Sequence, residues 1–324
     1  MKSNPKLSSI LSAVVAMFML FGCSKSNQVT PVQQQTSNLT ADGKHAYGLL
    51  TMTPDMYANA PVYSEAAFKT KFSDFTTTPP PTAYTLATPD VRDQGQIGSC
   101  TAFCGTEAYE IGYKYSSAGV FPPVLSPACL YYEERVDILH ERIGADNGAY
   151  MIDIGEALQT YGICTEALYP YPTSDKSIAY KTPPSTAAVA NALGYRTSSA
   201  AVLIPAKSAT FDPVAAVKTC LINHIPVMMG FNVYDNRSTY QYFEGLNKTS
   251  YTYNPLTASG ALVSGVVLLG GHATPIVGYD DNKQVFLVQN SWGTAWGYYG
   301  FYYMPYSVFS STTIVPQGSV YYIQ

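Results

Sequence analysis

An α+β fold of two subdomains is what this sequence predicts, and three observations carry that prediction. Helix signals crowd the first half of the region after Pro89, strand signals crowd the second, and the two never alternate in the rhythm of a parallel sheet. The chain has 324 residues, 47% of them hydrophobic and only 12% charged, which is ample for a large core and far from a disordered composition.

Taken in order, Ser99 opens a helix from Cys100 to about Tyr115, with Phe103, Cys104, Ala108 and Ile111 at helical spacing. Ser126-Pro127 starts a second, serine being a good cap and proline suiting a first turn. A third runs from about Met151 to Tyr161, carries Ile154, Ala157, Leu158 and Tyr161 on one face, and stops at Gly162. Asp212-Pro213 opens a fourth that ends near Asn223. Strands are expected at Pro226–Tyr234, Thr274–Tyr279, Val285–Gln289 and Tyr298–Met304.

The start of the chain reads differently. Lys2 and Lys6 precede an uncharged, mostly apolar run of twelve residues, Ile10–Phe21, too short to span a bilayer and suited to a signal peptide over residues 1–22. Leu20-Phe21-Gly22-Cys23 resembles a bacterial lipobox, which makes Cys23 the expected lipidation site. The expected location is therefore the bacterial cell envelope, periplasmic or surface-exposed, with the membrane as partner through the lipid. Residues 23–87 read either as a tether or as a small pro-segment or lid, because Tyr47–Phe75 holds enough apolar residues to pack on something. Residues 88–324 form the expected folded domain.

Charge excludes one class of partner. A net charge of -4, with scattered Lys and Arg, argues against nucleic acid. No cysteine or histidine cluster has zinc-ligand spacing, so neither metal nor other cofactor is expected. Five cysteines remain besides Cys23, an odd number, so internal pairing in an oxidising compartment leaves at least one thiol over.

That thiol has a candidate in Cys100. At the first turn of a helix it sits in the positive field of aligned peptide dipoles, which favours a nucleophilic thiolate. Gln94, six residues upstream, can bring a side-chain amide to the same point and, with the Cys100 backbone N–H, hold an oxyanion. Gly271-His272-Ala273 precedes one expected strand, and Asn290-Ser291-Trp292-Gly293 follows another. An asparagine amide bonded to an imidazole fixes the tautomer whose other nitrogen can face a thiol, and Trp292 would shield that bond.

Gln94–Phe103, Gly271-His272-Ala273 and Asn290-Ser291-Trp292-Gly293 resemble, in order, the nucleophile, Gly-His-Ala and Asn-Ser-Trp-Gly segments of the papain family (peptidase C1). Asp146-Asn147-Gly148-Ala149-Tyr150 resembles the segment bordering that family's cleft, where an extended peptide pairs as an added strand. Glu166-Ala167-Leu168-Tyr169-Pro170-Tyr171 resembles a structural segment of the family. Two departures stand out: Ile97 replaces a disulfide cysteine, and Thr101 an aromatic residue. His272 lies 172 residues after Cys100, against roughly 130–150 in the family. The irregular stretch 235–264 is where the excess should go.

The resemblance implies a papain-like fold, with a helical subdomain and a barrel-like antiparallel one flanking a cleft. It implies a monomeric cysteine peptidase that cuts peptide or protein substrates. Cys100 is its nucleophile, His272 its base and acid, Asn290 the orienter and Gln94 the oxyanion donor, with Gly148, Ala149, Gly271 and Trp292 binding substrate. A catalytically silent relative that binds peptide or glycan is the alternative from another class. A second alternative is acyl transfer to an amine or alcohol.

Overall fold

Cys100 begins a 17-residue helix because Ser99 stands at its cap with a free carbonyl, to which the Phe103 N–H donates at 3.0 Å. The Ser99 hydroxyl does not cap the helix as the sequence suggested; it bonds the Tyr171 hydroxyl at 2.7 Å instead. This computed structural model describes residues 38–62, 80–172, 182–203 and 211–323, with Ala66, Phe68 and Thr70. The leader, Cys23 and Thr76–Pro79 lie outside the described residues.

In chain order the described elements are β1 (Asn38–Leu39), β2 (Ala46–Tyr47), α1 (Pro54–Asn59), β3 (Ala83–Thr85), α2 (Cys100–Ser116) and α3 (Pro127–Tyr132), with a π-helical stretch Glu133–Ile138. Then come α4 (Met151–Thr160), α5 (Thr186–Ala192), β4 (Ala200–Val202), α6 (Pro213–Ile222) and β5 (Val227–Asp235). The chain closes with β6 (Val267–Asp280), β7 (Val285–Gln289), β8 (Phe301–Pro305), α7 (Tyr306–Phe309) and β9 (Val320–Ile323).

Strands β4, β9, β5, β6, β7 and β8 form one antiparallel sheet in that order, and β3 pairs with β6. The α+β prediction therefore holds, with helices α2, α3 and α4 sharing one core and the sheet most of another. All four expected helices form. Of the expected strands, the second differs most: β6 starts at Val267, so His272 lies within the strand, opposite Phe231, and not before it. Residues 236–266 carry no named helix or strand, as the spacing argument requires. Thr85 pairs with Gly278, so the sheet begins within residues first read as tether.

Candidate active site

Helix α2 delivers Cys100 at its first position, fully buried, while β6 delivers His272 from the facing subdomain. The sulfur receives the backbone N–H of Ala273, the residue after His272, and that of Thr101, so strand and helix meet at the thiol. Asn290, just past β7, places its Oδ1 at 2.7 Å from His272 Nε2. An amide oxygen only accepts, so Nε2 carries the proton and Nδ1 keeps its lone pair. Nδ1 is buried and has no partner among the described residues. This is the state a base needs. Trp292, 2% exposed, covers the pair with its ring centre 5.2 Å from that of His272.

Gln94 is 1% exposed and its amide is held at both ends. Ser291 Oγ donates to Gln94 Oε1 at 2.7 Å, which turns Nε2 toward the cleft. The Tyr171 hydroxyl donates to the Gln94 carbonyl at 2.7 Å and also meets Ser99. The Glu-x-x-Tyr-Pro-Tyr segment thus braces the turn that carries both Gln94 and Cys100. Thr101, where an aromatic was expected, is fully buried and donates to Glu134 Oε2 at 2.6 Å. Ile97 packs in the helical core.

Residues 41–50, assigned by sequence to a tether or to a small pro-segment or lid, fill the cleft. The Ala46 carbonyl accepts from Gln94 Nε2 at 2.9 Å, occupying the expected oxyanion donor. Gly48 directs its N–H at the Cys100 sulfur. Its carbonyl accepts from Ala149 N at 3.0 Å, while Leu50 N donates to Ala149 O at 2.9 Å and Leu49 N to Gly271 O at 3.1 Å. His45 stacks on Trp292 at 4.8 Å and pairs with Asp93 at 3.2 Å. Tyr47 sets its edge against His272 and donates its hydroxyl to Glu244 at 2.8 Å. Ala149, Gly271 and Trp292 all engage this segment, and Gly148 leaves room for it: a Cβ there would lie 1.9 Å from the Gly48 oxygen. His45, Tyr47 and Glu244 belong to no motif and were given no role from sequence, while Ser291 lies in the Asn-Ser-Trp-Gly motif but was not expected to hold Gln94.

Filling the cleft changes its electrostatics. Loss of water pushes the Cys100 thiol up to about 12 and pulls His272 down to about 4, against the hydrogen bond His272 donates to Asn290, which works the other way. Thiol and imidazole are therefore both neutral at pH 7. The helix-dipole argument predicted a depressed thiol, and burial outweighs the dipole while the segment is seated.

Asn290→Ala is expected to leave the fold intact and reduce turnover about tenfold or more, through an imidazole free to rotate or switch tautomer. His272→Ala should cost more, about a hundred- to ten-thousandfold, since it removes both base and acid. Steady-state kinetics with thermal melts of both variants would check the order. An Asn290→Ala loss equal to that of His272→Ala would contradict it.

A sequence model described as papain family cysteine protease matches residues 82–320. An uncharacterised peptidase C1-like protein of Acanthamoeba polyphaga mimivirus is 29% identical over 66% of this chain, and mouse cathepsin K is 28% identical over 65%. The chain covers 63% and 54% of their respective lengths, little more than half to two thirds. Among solved structures, xylellain, a cysteine protease from Xylella fastidiosa, is 26% identical, with a TM-score of 0.67 over 86% of this chain and 95% of its own. Procathepsin B from Trypanosoma congolense shares the fold at 18% identity, with a TM-score of 0.59 over 85% of each chain.

Proposed function

Because the chain belongs to the papain family of cysteine proteases, we propose that it is a cysteine peptidase held inactive by its own residues 41–50. The observation that carries the catalytic part is the His272–Asn290 bond at 2.7 Å, which leaves Nδ1 with its lone pair on the residue next to Ala273, whose backbone N–H reaches the buried Cys100 sulfur. With the cleft open, His272 takes the thiol proton and Cys100 attacks a peptide carbonyl. Gln94 Nε2 and the Cys100 N–H receive the oxyanion, and His272 returns the proton to the leaving amine. Water, activated by the same imidazole, then hydrolyses the thioester. All four groups come from one chain, so a monomer suffices. With all four present, the silent peptide-binding alternative has no supporting observation.

The seated segment supports a mode of substrate binding and a reason why it is not itself cut. It adds as an extended strand to Ala149 and Gly271, yet it presents an N–H to the nucleophile where a substrate presents a carbonyl carbon. Incubation of the full chain with a diverse peptide library, from mildly acidic to neutral pH, tests the proposal against Cys100→Ala. Cleavage confined to the wild-type chain supports it, and equal cleavage by both contradicts it. Products carrying an added amine instead of water would mark transfer.

The anchor remains part of the proposal. Ile10–Phe21 and Gly22-Cys23 support export and attachment of the chain to the cell envelope by a lipid on Cys23. Cys23→Ser should accumulate precursor or release the protein from the membrane. Fatty-acid incorporation equal to that of the unaltered chain would refute it.

A further inference from the structure

We propose that Cys129 and Cys164 close a disulfide that braces the catalytic turn from behind. The five described cysteines sort into three cores. Cys100 and Cys104 lie one helical turn apart in the core of the helical subdomain, and Cys220 lies in that of the sheet. Cys129 and Cys164 share a small third core with Ala128, Tyr169, Ala188 and Ala192, and both are fully buried. The structure holds them as thiols in contact: the backbone N–H of Cys164 donates to Cys129 Sγ at 3.3 Å, and the two side chains hydrogen-bond each other.

The surrounding backbone already fixes their approach. Ser126 N donates to the Cys164 carbonyl at 2.9 Å, Leu125 and Thr165 form an antiparallel bridge, and the Ser126 hydroxyl donates to the Tyr169 carbonyl. A bridge here closes onto a preformed pairing, so little geometry has to change. Its consequence reaches the site. The segment after Cys164 carries Tyr171, whose hydroxyl holds the Gln94 carbonyl and the Ser99 side chain. A bridge at Cys164 ties the start of that segment to α3.

The chemistry is thiol–disulfide exchange with a disulfide-bearing oxidant, either a protein dithiol oxidant of an extracytoplasmic compartment or an oxidised small thiol. The two Sγ–H bonds break and one Sγ–Sγ bond forms. Two protons and two electrons pass to the oxidant, whose own disulfide is reduced to two thiols. Pairing two of the five leaves Cys100 free, as its role requires.

Full-length protein, refolded with oxidised and reduced glutathione, is denatured, alkylated without reductant and digested with trypsin, which cuts between the two cysteines at Arg135 and Arg142. The expected product is a peptide pair joined through Cys129 and Cys164, with Cys100, Cys104 and Cys220 alkylated. Alkylation of both Cys129 and Cys164, or a link from either to another cysteine, overturns the proposal. Reductant should lower the wild-type melting midpoint by roughly 10 °C, the effect of a loop of this length, and should leave Cys129→Ser and Cys164→Ser unmoved. A wild-type midpoint indifferent to reductant also overturns it. Should the variants not fold, the wild-type digest and melt decide.

Discussion

Replacing Cys100 with alanine should abolish covalent labelling by thiol-directed, peptide-like epoxides and lower peptide turnover by at least about a thousandfold. Cys104→Ala should label as the wild-type chain does. The contrast follows from placement. Cys100 starts α2, where the backbone N–H of Ala273, next to His272, reaches its sulfur, whereas Cys104 is buried one turn deeper, where burial and the nearby Glu107 carboxyl hold its thiol protonated. Labelling that persists in Cys100→Ala, read by mass spectrometry of the modified peptide, would remove the nucleophile assignment.

The second large effect is a gain. At Gly48 an added Cβ would lie 1.8 Å from the Gly98 carbonyl oxygen, a backbone atom that cannot swing aside. Gly48→Val in the full chain should therefore expel residues 41–50 and raise peptidase activity on the order of a hundredfold, as overpacking of a tight contact implies. Acid should act in the same direction. With its nitrogen held neutral while the segment is seated, His272 has its pKa lowered from 6.5 to about 4, so the seated state is favoured above 6.5 and loses ground as pH falls toward 4. At pH 5 the open state should gain about thirtyfold from this group alone. Activity of the unaltered chain across that range checks the sign; a rise in activity with rising pH would contradict it.

The candidate catalytic residues that the structure brings together were legible because each needs a particular side chain at a particular spacing: a thiol at a helix start, a glutamine six residues before it, an imidazole in one strand and an amide just past its neighbour. The seated segment was legible only as the pro-segment or lid alternative to a tether; its register in the cleft was not, because Ala46, Gly48, Leu49 and Leu50 engage through backbone groups that any residue supplies. The same contact explains the misplaced start of β6. Gly270-Gly271 reads as a strand breaker, yet a Cβ at Gly271 would fall 2.4 Å from the Leu49 oxygen, so close approach of an extended chain demands glycine inside the strand. Strands β3 and β4 were missed for another reason: each is three residues long, too short to show alternation.

The pairing of Cys100 with His272, masked while the cleft is filled, is tested most directly by the pH dependence of Cys100 alkylation in Gly48→Val, with and without His272→Ala. Water entering the open cleft lets thiolate and imidazolium form together, so the thiol should titrate far below the value of about 12 that burial imposes, and His272→Ala should raise it again. An alkylation profile unchanged by His272→Ala would mean that His272 is not the partner of Cys100.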